Sequence, residues 1–586
     1  MRNWLKKTFK IVDWLPHYNL YKFRGDLAAG LTTGIMFIPQ AMAYAVIAGV
    51  PPIYGLYAGV VPLLIYPLLG TSKNLSVGPV AVDMLIVAAG VSLLAEPNSP
   101  EYISLVIILT MMAGGLQLIM GSMQLGAVFN FFSRPVIAGF TLAAPLIIAF
   151  TQLNNLSGIE LSNTQYIFTV IEEVIMRFDQ IHPETLFWGS AAMAVLLIFK
   201  YLKPAVPASV ILLVLSITGA WFFSAHTMGI QLVGDIPMGL PPFSIPEINF
   251  NSMRELMSTA LTLALVQFMV VASLGRTFAK RHNYVIDANH ELVAIGAANF
   301  FGSFFQSIPA SGSFSRSAAS EQANVQTPLA NFITSGVIIA TLLLLTPVFY
   351  YLPMPVLAAI IIISALNLID ISEFKFLFTT KKSEGLIAIF TAVCTLFIGI
   401  QEGILLGVVA SMVNILYRYS HPNVAELGLI PGTHLFQDID RQSSAQRIKG
   451  VIILRVDASF SFINADFFRD YIVKKTREQT KYARYVVIDG SSINTLDTTA
   501  VDQLKSMVTT LQNWDIELYI TGLKGPVRDI VSKSGLREFV GEDHFFREPH
   551  EAIQHILKIM DREDNTSRLD VYKKEVNNKK PEQQDT

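Results

Sequence analysis

LSVGPVAVDMLIVAAG (residues 75–90) and QSIPASGSFSRSAAS (residues 306–320) decide how this chain folds. Each is a short run broken by Gly, Pro and Ser, and each is too short to cross a bilayer alone as a helix. Working outward, apolar runs fall at 27–47, 53–70, 78–92, 102–124, 132–152, 185–201, 205–226, 256–275, 287–304, 313–323, 327–347, 353–369, 384–399 and 400–418. That makes about fourteen segments, with the interrupted pair third in the first seven and third in the second seven. Seven is odd, so the second half inserts inverted relative to the first. The expected fold is an all-α polytopic membrane domain in a 7+7 inverted repeat, followed by a small α/β domain.

The pair of broken segments carries a chemical expectation. Interrupted helices at matching places in two halves point to a binding site near the membrane midplane. A half-helix starting there exposes unpaired N–H groups and the positive end of its dipole. Two such ends facing each other suit an anion. Gly78 keeps the backbone open at the first start, and Ser313 and Ser315 add hydroxyls at the second. Arg316 is costly in hydrocarbon, so it is expected to face the site or a water-filled path. The plainer alternative makes the Gly and Ser residues helix-packing contacts.

Composition agrees with the segment count. The chain has 586 residues, of which 52% are hydrophobic and 15% charged. A soluble protein would carry roughly a quarter charged residues. The apolar excess lies before position 420, and beyond Ser420 the composition is that of a soluble domain. Expected divisions are an N-terminal segment 1–26, a transport domain 27–420, a soluble domain with linker 421–560 and a disordered polar tail 561–586. The net charge of −2 gives no sign of a nucleic-acid partner. A single cysteine, Cys394, excludes an intrachain disulfide. MRNWLKKTFK at the start is basic with no apolar stretch behind it, so no cleavable signal is expected. The sequence shows no metal-ligand cluster, triad pattern or complete phosphate-binding loop, so no metal, cofactor or enzymatic activity is expected.

Loop charge sets the orientation. Lys73, Arg134, Lys200 with Lys203, Arg276 with Lys280 and Arg281, and Lys375 with Lys381 and Lys382 fall in alternate loops. Glu96, Glu101, Glu172, Glu173, Asp235 and Glu247 fall in the opposite ones. The positive-inside rule makes the first set cytoplasmic. Both termini are then cytoplasmic, because the number of crossings is even.

In the soluble part, GVIILRVDA, RYVVIDG and IELYITG read as strands. ADFFRDYIVKKTREQ, TTAVDQLKSMVTTLQ, GPVRDIVSKSG and PHEAIQHILKIM read as helices. Such alternation predicts a largely parallel sheet.

Three long motifs in order now stand out: WLPHY…DLAAGLTTGIMFIPQAMAYAVIAGVPPIYGLY (14–57), GTSKNLSVGPVAV (70–82) and SGSFSRSA (311–318). With them the chain resembles the SulP anion-transporter family, the sulfate permeases and their prestin- and pendrin-like relatives, over essentially its whole length. The C-terminal region resembles a STAS domain. The resemblance implies core and gate domains, with the third and tenth segments meeting at the substrate. It implies a multi-pass cell-membrane protein, usually a homodimer, that carries small inorganic or carboxylate anions such as sulfate, bicarbonate, chloride or oxalate by alternating access. Exchange and proton-linked symport are both open under that implication. The alternatives are an anion channel or voltage-responsive relative, and a nucleobase permease of the same fold.

By motif position the resemblance places Gln40 and Tyr44 at the site, with Val80 at the third segment's start and Phe314, Ser315 and Arg316 at the tenth's. Gln40 and Tyr44 are one turn apart on one helix face, just after Pro39. Many bacterial and plant members carry a coupling glutamate in the eighth segment; aligned through Gly275-Arg276-Thr277, that position here is Val270. Asp83, one turn past the third segment's start, is a candidate for proton coupling, the plainer alternative being a structural hydrogen bond to a neighbouring hydroxyl. In the soluble domain, Asp497-Thr498-Thr499 resembles the phosphorylated Asp-Ser-Ser site of stand-alone STAS regulators. That makes Thr498 and Thr499 candidate regulatory sites and the domain a candidate docking point for a regulatory protein. The plainer reading of Asp497 is an ordinary helix N-cap.

Overall fold

The computed structural model describes residues 10–126, 133–159, 167–202, 208–247, 249–367, 369–479, 483–564 and 566–577. The chain divides into two compact units, Met1–Ser411 and Met412–Thr586. The division falls inside the last membrane helix, earlier than the expected change at 420. The expected loop position Lys203 lies outside the described residues.

The first unit is helical. Its principal helices are α1 (Leu20–Ile47), α2 (Val61–Leu69), α3 (Ala81–Val91), α4 (Pro100–Ser122), α5 (Arg134–Thr151), α6 (Pro183–Leu202) and α7 (Ala208–Phe222). The second set is α8 (Phe250–Arg281), α9 (Ala288–Ser303), α10 (Phe314–Gln322), α11 (Leu329–Leu344), α12 (Met354–Leu366), α13 (Lys382–Phe397) and α14 (Ile400–Ser420). Among the described residues seven spans are long and apolar enough to cross a membrane on their own, and several shorter apolar helices accompany them. The interrupted pair stays short: α3 has 11 residues and α10 has 9. At 1.5 Å per residue these reach about 16 Å and about 14 Å, half of the roughly 30 Å hydrocarbon core.

The inverted repeat appears in which helix packs on which. Moving every partner seven places on converts one contact into another: α1 on α11 becomes α8 on α4, and α5 on α13 becomes α12 on α6. Likewise α1 on α10 becomes α8 on α3, and α4 on α9 becomes α11 on α2. The contacts gather α1–α4 with α8–α11, and α5–α7 with α12 and α13, giving a core and a gate. Close approach of α4 and α9 needs glycine on both sides. A Cβ at Gly296 would lie 2.7 Å from the Leu118 backbone nitrogen, and one at Gly114 would strike the α9 backbone.

Two buried carboxylates fasten the core in matching fashion. Asp26 in α1 accepts the Gln326 and Thr327 backbone N–H groups at 2.7 and 2.8 Å, and the Thr327 and Tyr18 hydroxyls at 2.5 and 3.1 Å. Glu291 in α9 accepts the Thr71 and Ser72 N–H groups at 2.6 and 3.0 Å, and the Thr71 and Tyr66 hydroxyls at 2.6 and 2.7 Å. Each therefore grips two successive backbone amides, a threonine and a tyrosine beside one interrupted segment.

The second unit carries a six-stranded sheet. Its strands are β3 (Val424–Leu429), β4 (Phe436–Asp438), β5 (Val451–Val456), β6 (Tyr485–Asp489), β7 (Glu517–Thr521) and β8 (Phe545–Phe546), in the order β4-β3-β5-β6-β7-β8. Strands β5 to β8 are parallel, as the alternation predicts. Successive residues bury on opposite faces: Ile452, Leu454, Val486 and Ile488 pack against α15 (Ala465–Gln479), α16 (Thr498–Gln512) and α17 (Gly525–Lys533). Val451, Ile453, Tyr485 and Val487 pack against α18 (Pro549–Asp564) and α19 (Arg568–Asn577).

The largely parallel sheet carries an addition, and one expectation for this unit, the disordered tail, is corrected. An antiparallel pair, β3 with β4, extends the sheet on the β5 side. The stretch from Asp561, expected to be disordered from its polarity, is helical over α19 and buries Tyr572 and Val576. Asp561 itself starts α19 by accepting the Arg568 and Leu569 N–H groups at 2.6 and 2.7 Å. Residues 578–586 lie outside the described residues.

Candidate functional site

The starts of α3 and α10 are tied together by a two-residue antiparallel pair, β1 (Val77–Gly78) with β2 (Ser311–Gly312). The Ser313 N–H continues the pairing onto the Ser76 carbonyl at 2.9 Å, and the Ser76 N–H reaches back to Ser317 Oγ at 2.9 Å. Asn331 on α11 donates to the Leu75 carbonyl at 2.9 Å. The two helix starts differ. Val80 is extended and its side chain gives the first-turn N–H groups of α3 no cap. Ser313 caps α10 weakly, its Oγ accepting the Arg316 N–H at 3.4 Å.

Arg316 is fully buried. Its Nη1 donates to Gln40 Oε1 at 3.3 Å and its Nη2 to the Pro79 carbonyl at 3.1 Å. The guanidinium lies over the Phe37 ring, 5.0 Å from the centroid. Its Nε has no partner among the described residues. Nor does any described carboxylate come within the 4.0 Å of an ion pair. Gly78 makes this approach possible: its φ is +152°, and a Cβ there would strike Phe37 and come within 2.9 Å of Arg316 Nη2. Tyr44 is buried one turn beyond Gln40 and lies within the field of the Arg316 charge.

The structure thus gathers Gln40, Tyr44, Gly78 and Arg316, with Val80 and Ser313 at the adjoining helix starts. It leaves Phe314 and Ser315 exposed, away from the guanidinium. The Ser315 hydroxyl is 3.4 Å from Ser313 Oγ. Phe37 and the Pro79 carbonyl belong to the cluster, although sequence reasoning passed over both. Phe37 precedes Gln40 by three residues and shares its helix face, so the same spacing argument could have found it.

Asp83 is buried but does not meet Arg316. Its Oδ2 accepts from Gln267 Nε2 at 3.0 Å. Val270, one turn beyond Gln267 on α8, packs on the membrane core. In the soluble unit, Asp497 caps α16 by accepting the Ala500 N–H at 2.9 Å and also holds the Phe462 N–H at 2.7 Å. Thr498 and Thr499 are exposed in the first turn of that helix.

A family model described as the sulfate permease family matches residues 23–391, and one described as the STAS domain matches 442–552. The chain is 34% identical over 576 residues to "Sulfate transporter 4.1, chloroplastic" of Arabidopsis thaliana, covering 95% of this chain and 83% of that one. It is 31% identical over 553 residues to a probable sulfate transporter of Mycobacterium tuberculosis, covering 93% and 99%. Among solved structures, that of SLC26A9 superposes with a TM-score of 0.87 at 23% identity, over 97% of this chain and 95% of that one. The transmembrane domain of the cyanobacterial bicarbonate transporter BicA gives 0.58 at 20% identity, over 67% and 98%. These two likenesses establish the fold.

Proposed function

The chain belongs to the sulfate permease family, and on that premise we propose that it is a secondary active transporter of small inorganic anions, sulfate foremost. One observation carries the reading: a fully buried guanidinium, Arg316, stands between two facing helix starts with neutral oxygens and a ring as its described partners. A buried cation without a counter-charge is costly, and a small anion supplies that charge. The Arg316 Nε, the uncapped amides of α3 and the Ser313 hydroxyl offer donors to it. The core carries both helix starts and rocks against the gate, which exposes the site to each side in turn. The chain is a multi-pass cell-membrane protein with cytoplasmic termini, working as a homodimer. Its STAS domain takes a regulatory input, at Thr498 and Thr499 or through a bound protein.

Uptake of labelled sulfate into liposomes containing the purified protein tests this, with chloride, bicarbonate and oxalate as competitors. Saturable sulfate uptake that falls sharply in Arg316→Gln is the expected result. Single-channel currents in place of exchange would favour the channel alternative. A nucleobase permease is disfavoured because its ligand needs a carboxylate at the site, and no described carboxylate approaches Arg316.

A further inference from the structure

Asp83 is another buried acid of the core without a counter-charge, and it lacks the backbone amides and hydroxyls that serve Asp26 and Glu291. Asp83 sits in the first turn of α3, fully buried; Gln267 serves its Oδ2, and its Oδ1 has no partner among the described residues. The helices packed on α3 are α1, α4, α5 and α8. Their charged residues lie toward their ends, from Asp26 on α1 and Glu101 on α4 to Arg134 on α5 and both ends of α8, and none pairs with Asp83. Tyr44 on α1 faces Arg316, and Tyr102 on α4 donates to the Ala48 carbonyl at 2.8 Å. Arg316 itself is turned to Gln40 and Pro79.

Gln267 does not end at Asp83. Its Oε1 accepts from Gln117 Nε2 on α4 at 2.9 Å and from Asn299 Nδ2 on α9 at 3.0 Å. Asn299 also donates to Gln117 Oε1 at 3.3 Å, and its own Oδ1 accepts the Ala310 N–H at 2.7 Å. Ala310 is the residue before β2, three residues ahead of the Ser313 cap of α10. Ser311 adds a longer link to the Gln267 carbonyl at 3.4 Å. A carboxylate can only accept, so it fixes which end of the Gln267 amide faces it. That choice sets Asn299 in turn and leaves the Asn299 oxygen free for Ala310. The charge at Asp83 is thereby written, through two amides, into the strand that positions the anion site.

We propose that Asp83 binds and releases the transported proton, and that Gln267 and Asn299 pass its charge state to the Ala310–Ser313 strand. The proposal rests on the anion-transport reading above. In the step itself hydronium gives a proton to Oδ1: one O–H bond of the hydronium breaks as the O–H bond at Oδ1 forms, a water molecule leaves, and the carboxylate becomes a neutral acid. Protonation removes a negative charge from the same low-dielectric core as the anion. It also turns the charge-assisted bond from Gln267 into a neutral one, about half as strong, and so relaxes the hold on Ala310. Both effects favour anion binding on acidification, which is the sign symport requires.

The test uses the full-length protein in liposomes, with sulfate as the probe and two independent readouts. Infrared difference spectra on acidification should show a protonated-carboxyl band that is missing in Asp83→Asn. Sulfate affinity of the parent should rise on acidification, by at most about tenfold per pH unit for one coupled proton. Asp83→Asn should still bind sulfate, with no such slope, and its uptake should not respond to an inward proton gradient. Asn299→Ala should keep the infrared band yet lose much of the slope. A parental slope in Asp83→Asn, or an affinity that follows sodium and not pH, overturns the proton site. A parental slope in Asn299→Ala overturns the relay. If the parent binds no anion, the transport reading fails, and the infrared band alone decides: its loss in Asp83→Asn upholds the proton site and its persistence there overturns it.

Discussion

Arg316 and Glu426 are both charges taken out of water, one in each compact unit, and the molecule treats them in opposite ways. Glu426, on β3, is met by Arg447 at 2.6 Å and Lys475 at 3.1 Å. Burial works against its charge, but those two cations outweigh it and hold the carboxyl below its ordinary value. Arg316 receives a glutamine oxygen, a backbone carbonyl and an aromatic face, with no described carboxylate in reach. The soluble unit balances its buried charge internally, so Glu426 is part of the fold. The membrane unit gives the Arg316 charge no described counter-charge, which is what the proposed anion site would use. The contrast is one of partners, since burial is common to both.

The comparison is broken most directly at Arg316. Arg316→Gln keeps a donor but removes the charge, and sulfate affinity should fall by about 3 kcal/mol, over a hundredfold. Equilibrium binding to purified protein measures it, and a variant with parental affinity would place the anion elsewhere. Gly78→Leu attacks the same site by volume. The side chain would displace Phe37 and the guanidinium, so affinity should drop about tenfold while the protein remains folded, at an overpacking cost of about 1–3 kcal/mol.

Glu426→Gln probes the other side of the comparison. It should leave sulfate affinity untouched and destabilise the soluble unit by only about 1 kcal/mol, because Arg447 is well exposed and water screens its loss. The sign with pH follows from the lowered carboxyl. The folded value lies below the unfolded one, so the stabilisation is complete above the unfolded value and disappears as pH falls through the folded value. Acid unfolding followed by circular dichroism should therefore show the parent losing its advantage over Glu426→Gln at low pH. Ser315→Ala should have the smallest effect. Ser315 is exposed and bonds only weakly to Ser313, so affinity should change by about 0.5 kcal/mol or less. A loss as large as that of Arg316→Gln would mean that Ser315 turns inward when anion binds.

What could be read from sequence follows from which physics each feature obeys. The segments were legible because a bilayer imposes a length on every crossing, and α3 and α10 betrayed themselves by falling short of it. Parallel strands β5, β6 and β7 were legible because each is a run rich in apolar residues bounded by Gly or polar residues, whereas β8, only Phe545–Phe546, was too short to read. The tail helix α19 was not, since among its described residues only Tyr572 and Val576 bury, too few to stand out in a charged stretch. The β3–β4 pair was hidden because β4 is three residues long and none of them is apolar enough to announce a strand except Phe436. In the candidate site, residue types, their crowding at two helix starts and the inward turn of the Arg316 charge were visible, but finer direction was not. Nothing in SGSFSRSA says that Phe314 and Ser315 turn out, and nothing near Asp83 names Gln267, 184 residues away, as its partner.

Asp26 and Glu291 bear on how such a core can move. Each rivets the base of an interrupted segment to a long helix through four hydrogen bonds, two of them to backbone. A hinge needs peptide units that can trade partners cheaply, and at these two joints they are already bound to a buried carboxylate. The segments are thereby denied independent swing, like spokes welded to a hub. On the proposed transport reading, a push delivered by an arriving ion would pass to the seam between the α1–α4 and α8–α11 block and its neighbour, and the stroke would be made there.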